Sequence, residues 1–174
     1  TITSAYYYGL RIYYGDSVVI EGNSIPDGMR NTASYGLYMY YVDNAQILGN
    51  EVYNANTSAM QFAYSNYSNA TAGSYSIVAN NMLQSNGTYG TYFYYPNNVD
   101  FFHNSIMGGT TYGMYMNGSA TLTLDVDVRN NIFVNSGTGT AFFIATAPGN
   151  TTVDYNLYSS GGNIRNAQAT LADW

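Results

Sequence analysis

Apolar and polar positions alternate along this chain in short segments, and one local pattern returns six times. An apolar residue lies three positions before an asparagine and another lies two positions after it, as in Ile20-Glu-Gly-Asn23-Ser-Ile25. The asparagines of this pattern are 27, 31, 23, 27 and 25 residues apart: Asn23, Asn50, Asn81, Asn104, Asn131 and Asn156. A repeat of this length with strand-like alternation inside it predicts a solenoid built of one rung per repeat.

A second strand pattern precedes each of these asparagines and usually opens with glycine. The six segments open at Gly9, Gly36, Ala59, Gly90, Gly113 and Thr140. Period-two alternation predicts that the second and fourth residues of each segment face inward. These inward pairs are Leu10/Ile12, Leu37/Met39, Met60/Phe62, Thr91/Phe93, Met114/Met116 and Ala141/Phe143. Extra residues are confined to corners at 26–34, 65–74 and 118–122, and a helix is expected only near 167–174.

Stacked rungs place equivalent residues about 4.8 Å apart, so identical residues form ladders. An asparagine ladder satisfies buried polar groups because each amide carries both donors and an acceptor. Asparagine also tolerates the left-handed backbone conformation better than most residues, which suits a corner. We therefore expect the six asparagines to lie in one buried column.

The repeat, which reads Val78-Ala-Asn-Asn81-Met-Leu83 in the third rung, resembles that of right-handed parallel β-helix proteins, the pectate-lyase-like superfold. The resemblance covers about residues 8–160 and implies an all-β, right-handed parallel β-helix of about six rungs with an asparagine ladder. The superfold includes polysaccharide lyases, glycoside hydrolases, phage tailspikes and bacterial adhesins, so the resemblance does not select one function.

The chain's ending, Asp154-Tyr-Asn-Leu-Tyr158 followed by Thr170-Leu-Ala-Asp-Trp174, is similar to the close of the helix in large secreted bacterial surface proteins. More chain usually follows in those proteins. We therefore expect residues 1–174 to form a single β-helix domain that is a fragment, or the ordered part, of a larger extracellular or cell-surface protein.

The composition excludes some partners. Only 8% of the 174 residues are charged, and the formal net charge is −6. Four arginines and no lysine cannot form a patch that neutralises phosphates, so we expect no nucleic-acid partner. No apolar run approaches the roughly 18 residues that span a bilayer, so we expect no membrane insertion.

Tyrosine is the commonest aromatic residue, with 21 copies, and its positions predict two structural features. Four tyrosines end successive strands and are followed two residues later by Asp or Asn, which predicts stacked corners: Tyr14, Tyr41, Tyr64 and Tyr95. A second set should face outward from the same strands: Tyr13, Tyr38, Tyr40, Tyr92, Tyr94 and Tyr115, with Arg11, Gln61 and Phe142 in the same columns.

Outward tyrosines suit contact with sugar rings or with another protein, because the ring is flat and apolar and the hydroxyl is polar. The alternative is that they only stabilise the outer sheet by stacking on one another.

Three aspartates form the one plausible acidic cluster. Asp100 and Asp127 share a register on adjacent rungs, and Asp125 lies two residues before Asp127. Paired carboxylates serve glycosidases or bind Ca²⁺, the one cofactor that we consider, although a solvated charged face is the more common explanation for such a cluster. His103, the single histidine, precedes a ladder asparagine and is expected to be a corner residue. The resemblance implies that a lyase would use an Arg or Lys base beside acidic Ca²⁺ ligands; here the four arginines are scattered, with Arg129 near Asp127, and no base lies beside the carboxylates on a convincing cleft.

The sequence thus leaves three functional hypotheses. The first is a non-enzymatic secreted or cell-surface module, a stalk or an adhesive surface that contacts glycan through its tyrosines. The second is a carbohydrate-active enzyme, a polysaccharide lyase or glycoside hydrolase. The third is an assembly module that docks on another chain through its tyrosines.

Overall fold

The computed structural model describes residues 1–26, 31–67, 74–119, 125–147 and 150–165. Its strands are β1 (Tyr8–Asp16), β2 (Val19–Glu21), β3 (Ser24–Ile25), β4 (Tyr35–Asp43), β5 (Gln46–Leu48), β6 (Glu51–Ala55), β7 (Ser58–Ala63), β8 (Ser76–Ala79), β9 (Met82–Ser85), β10 (Tyr89–Tyr94), β11 (Val99–Phe102), β12 (Ser105–Gly108), β13 (Tyr112–Asn117), β14 (Asp125–Arg129), β15 (Ile132–Asn135), β16 (Thr140–Thr146), β17 (Asn150–Asp154), β18 (Leu157–Ser160) and β19 (Asn163–Arg165).

Every third strand joins the same sheet, which makes the chain a parallel β-helix. The first sheet has the order β1-β4-β7-β10-β13-β16-β19, the second β17-β14-β11-β8-β5-β2 and the third β18-β15-β12-β9-β6-β3. All the strand pairs are parallel, as in β4 against β7 and β11 against β14. The all-β solenoid of about six rungs is therefore confirmed.

The described parts of the expected corner insertions lie between strands, after β3, β7 and β13. The helix expected near 167–174 falls outside the described residues. The residues that are described contain no helix with the length and apolar character that a membrane crossing requires.

Apolar side chains from all three sheets fill the interior of the helix. The inward pairs of rungs two, three and five are buried as predicted: Leu37 and Met39, Met60 and Phe62, and Met114 and Met116. Thr91 and Phe93 are also buried, and Leu10 and Ile12 of the first rung pack against the same core while staying partly exposed. Successive rungs thus bury one continuous column of apolar side chains.

The register predicted for the sixth rung is wrong by one residue. Met114 pairs with Phe142 and Tyr115 pairs with Phe143, so Phe142 faces inward and Phe143 faces outward, whereas Ala141 is buried in the core as expected. Phe142 is fully buried and stacks on Phe133 at 5.2 Å, whereas Phe143 stacks on Tyr115 at 5.6 Å. Apolar residues occupy both faces of β16, so alternation alone does not fix its register, and a slip of one residue exchanges the two faces.

The six asparagines form the expected ladder. The Oδ1 atom of Asn104 accepts hydrogen bonds from the backbone N–H of Asn81 at 3.0 Å and from its side-chain amide at 2.8 Å. The same pair of bonds joins each neighbouring pair from Asn23 to Asn156. The side-chain amide of Asn81 also donates to the carbonyl of Ile47 at 2.9 Å, which ties the ladder to the second sheet.

The left-handed conformation falls on the residue before each ladder asparagine, not on the asparagine itself. These preceding residues have φ between 51° and 62°: Gly22, Gly49, Asn80, His103, Asn130 and Tyr155. Tolerance of the left-handed region is therefore the wrong reason for the ladder, and the hydrogen-bonding amide is the right one. The prediction that His103 occupies a corner is confirmed.

We expect Asn81→Ala and Asn104→Ala each to lower the free energy of unfolding by about 1–3 kcal/mol, because each removes the Oδ1 atom that accepts from the preceding asparagine and leaves the buried backbone N–H of that asparagine without a partner. Asn23→Ala is the matched control. Asn23 begins the ladder and is only partly buried, so its replacement should cost less. Urea denaturation followed by circular dichroism gives all three values, and equal midpoints for the parent and both central variants would contradict a buried ladder.

Candidate functional site

The outer face of the first sheet carries the six tyrosines predicted to contact a ligand. One column runs through Arg11, Tyr38, Gln61, Tyr92, Tyr115 and Phe143, and a second runs through Tyr13, Tyr40, Ala63, Tyr94 and Asn117. The Tyr13 side chain is exposed, and the other five tyrosine side chains are partly exposed. The predicted outward position of all six is confirmed, whereas Phe142, expected in the first of these columns, is replaced there by Phe143.

A third column of tyrosines was missed by the sequence reasoning: Tyr8, Tyr35, Tyr89 and Tyr112. Each directly precedes the glycine that opens a strand, and strict alternation places it inward. A Cβ atom on Gly36 would collide with Val52 and with the backbone of Ala59, so the glycine faces inward next to Leu37 and the tyrosine before it faces outward. The repeated Tyr-Gly pair was the available signal. We call these three columns together the tyrosine surface.

Rings of the tyrosine surface pack against one another along and across the strands. Tyr13 and Tyr40 stack at 4.7 Å, and Tyr92 meets Tyr115 edge to face at 5.3 Å. The guanidinium of Arg11 lies 4.6 Å from the centre of the Tyr13 ring and 4.8 Å from that of Tyr8. These contacts stabilise the rings against one another and restrict their rotamers.

Two hydroxyls of this surface have raised pKa values. Burial, and after it the neighbouring tyrosine hydroxyls, raise the pKa of Tyr38 to about 12 and that of Tyr92 to about 12. These two rings therefore offer uncharged hydroxyls that donate and accept hydrogen bonds.

The four corner tyrosines stack as predicted. Ring centres are 5.3 Å apart between Tyr14 and Tyr41, 4.8 Å between Tyr41 and Tyr64, and 5.3 Å between Tyr64 and Tyr95. All four have positive φ, from 51° to 57°, which is uncommon for bulky residues. The stacked rings help to stabilise a corner conformation that costs free energy in isolation.

The predicted acidic cluster lines a cleft of about 440 Å³ beside the second sheet. The cleft is bounded by Tyr75, Asp100, Asp125, Val126, Asp127, Asn150 and Thr152. The Asp125 carboxylate accepts hydrogen bonds from the Tyr75 hydroxyl at 3.1 Å and from the Asn150 amide at 3.0 Å. Asp127 forms an ion pair with Arg129. Two of the three carboxylates are thus held by the chain's own donors.

Asp100 differs from the other two aspartates in its electrostatics. Burial, and then the negative charge of Asp127, raise the pKa of the Asp100 carboxyl, and Arg129 lowers it in part. Over the described ranges, no group of three or more His, Cys, Asp or Glu side chains is placed to hold a metal ion, so the three aspartates do not form such a group.

A comparison of the sequence with known families gives one match. The family model described as a right-handed β-helix region matches residues 1–158, which is most of the chain. No curated protein and no solved structure matches the chain significantly.

We expect Asp100→Asn to raise the melting temperature at pH 7 but not at pH 3. Because folding raises the pKa of Asp100 above its ordinary value of 3.8, the folded state binds this proton more tightly than the unfolded state. The free energy of unfolding therefore falls as the pH rises from 3.8 toward the folded pKa of Asp100. The uncharged side chain of the Asp100→Asn variant does not titrate, so the variant does not lose this stability.

Scanning calorimetry between pH 3 and pH 7 gives the melting temperatures of the parent and of Asp100→Asn. Glu21→Gln, at an exposed position of the same sheet, is the control and should follow the parent. A pH dependence of Asp100→Asn identical to that of the parent would show that the Asp100 carboxyl does not experience the burial described above.

Proposed function

The chain belongs to the right-handed β-helix family, and we propose that it is a non-enzymatic module of a secreted or cell-surface protein whose tyrosine surface binds polysaccharide. The observation that carries the proposal is the three-column array of partly exposed tyrosines on one sheet face. Tyrosine combines an apolar ring, which packs on the C–H face of a sugar, with a hydroxyl that hydrogen-bonds sugar hydroxyls.

The charge of this surface fits a sugar ligand better than an ionic one. Arg11 is the one charged side chain in the outward columns of β1, β4, β7, β10 and β13, and it lies over Tyr8 and Tyr13. The Tyr38 and Tyr92 hydroxyls are neutral because their pKa values are raised to about 12. Recognition at this surface therefore depends on ring packing and neutral hydrogen bonds.

Ring–ring contacts favour binding for a second reason. A tyrosine that already packs against its neighbours loses less conformational freedom when a ligand docks, so more of the contact energy becomes affinity. Tyr92, for example, contacts Tyr89 at 4.9 Å, Tyr94 at 6.0 Å and Tyr115 at 5.3 Å. The array is in this sense a preorganised binding surface.

The acidic cleft supports a second candidate function, a glycoside hydrolase or polysaccharide lyase. In a pair of carboxyls that serves a glycosidase, the one with the raised pKa acts as the general acid. Asp100 next to Asp127 has this arrangement. Against it, the Asp127 carboxylate is paired with Arg129, and the Asp125 carboxylate is held by Tyr75 and Asn150, so the chain's own donors already occupy oxygens of both.

We expect the double variant Tyr92→Ala with Tyr94→Ala to weaken binding to a polysaccharide that the parent binds by about 1–3 kcal/mol. The Phe pair at the same positions keeps the rings and should lose far less. Isothermal calorimetry or affinity electrophoresis over a polysaccharide panel gives these values. Unchanged affinity in the Ala pair would contradict binding at this surface.

Asp100→Asn and Asp127→Asn test the enzyme hypothesis, because both change the acidic cleft and leave the tyrosine surface intact. Binding should survive both substitutions, and no reducing ends or unsaturated product should form with the parent, with or without Ca²⁺. Product formation that both variants abolish would show that the protein is an enzyme acting through the acidic cleft. Light scattering without glycan tests the third hypothesis: self-association of the parent that the Tyr→Ala pair prevents would assign the surface to protein docking.

A further inference from the structure

The tyrosine surface is interrupted at its third rung. Where the flanking strands carry tyrosine in all three columns, β7 carries Ser58, Gln61 and Ala63. Among the described residues, aromatic contacts cross this rung only through the corner residue Tyr64. The surface therefore consists of two tyrosine patches, one on β1 and β4 and the other on β10 and β13, with an interval between them.

The width of this interval fits one six-membered ring. Strands β4 and β10 both pair with β7, so their outward residues are two strand spacings apart, roughly 9–10 Å. At the corner end of the interval the chain supplies such a ring itself. The Tyr64 ring meets Tyr40 at 5.2 Å and Tyr94 at 5.3 Å, edge to face in both cases.

The central part of the interval, between Tyr38 and Tyr92, holds no aromatic ring of the chain in the described residues. Gln61 lies at its floor, paired in register with both tyrosines. Ser58 and Ala63 are fully buried, whereas the Gln61 side chain is partly exposed. Its amide forms no hydrogen bond within the part of the chain that the structure describes, so its donors and its acceptor are available to a ligand.

We propose that this interval is a subsite for a single pyranose ring of a neutral polysaccharide, placed between Tyr38 and Tyr92 with its hydroxyls hydrogen-bonded to the Gln61 amide. The inference rests on the proposed function and names its ligand class. A neutral sugar is indicated because β7 and β10 carry no charged residue, and Arg11 lies two rungs away against Tyr8 and Tyr13. A uronate would meet no cation here and a protein of net charge −6.

Gln61→Tyr tests the subsite because it fills the interval with the ring that the neighbouring rungs already carry. Affinity for a neutral polysaccharide should fall about tenfold or more, as expected when a central contact is lost, while thermal stability stays at or above that of the parent. The control is Met107→Tyr, which places the same side chain at an exposed position of β12 in the third sheet, away from the tyrosine surface, and should leave affinity unchanged.

Gln61→Ala distinguishes the loss of the Gln61 hydrogen bonds from the filling of the interval. This variant keeps the interval open, so it should bind several-fold more weakly than the parent but more tightly than Gln61→Tyr. Parent-like affinity in Gln61→Tyr, together with weakened binding in the Tyr92→Ala, Tyr94→Ala pair, would overturn the subsite and leave the proposed function standing. Equal or tighter binding of acidic polysaccharides would overturn the neutral ligand class. A parent that binds no member of the panel would overturn both proposals.

Discussion

The constraint on which this molecule depends is that every rung lies one strand spacing from the next. Backbone hydrogen bonds fix that spacing in three sheets, and the asparagine ladder fixes it again at one corner, where Asn50, Asn81, Asn104 and Asn131 are nearly inaccessible to solvent. Each amide bonds both the neighbouring side chain and a strand carbonyl, so a shift of one rung would break hydrogen bonds on two sides at once. A buried polar column is therefore compatible with a stable core because all its groups are paired.

The tyrosine surface follows from the same constraint. Parallel rungs in constant register place equivalent residues above one another, so a tyrosine repeated in sequence becomes a column of rings. Corner and outward columns differ in what their rings do: Tyr41 and Tyr64 stack at 4.8 Å at a strained corner, whereas Tyr38 and Tyr92 flank the open third rung. The break at Gln61 is consequently a local change of sequence in an otherwise repeating frame.

Much of this fold is predictable from the sequence because the repeat carries redundant signals. Two apolar positions around each asparagine and one alternating strand per rung sufficed for the ladder and for most of the core. The prediction was wrong where one of these signals was ambiguous. In β16, Phe142 and Phe143 are both aromatic, so alternation could not choose the inward one, and Tyr35 escaped notice because Gly36 and Leu37 both face inward.

The environment of the acidic cleft was less predictable. Asp100 and Asp127 were placed in register by the repeat, but the partners of Asp125 were not, because Tyr75 follows a corner insertion and lies 50 residues away in sequence. Loop residues lack the repeat's periodicity, so the sequence gives no register for them. The pairing of Asp127 with Arg129 on the same strand likewise depends on rotamers rather than on spacing.

The central claim is that a ligand docks on the tyrosine surface and not in the acidic cleft. Its most direct test is an NMR titration of the parent protein, with assigned tyrosine ring and glutamine amide signals, against a neutral oligosaccharide. The account predicts that the signals of Tyr38, Tyr92 and the Gln61 amide shift most and that those of Tyr75 stay in place. Shifts concentrated at Tyr75 and around Asp100, with the tyrosine surface unchanged, would contradict it.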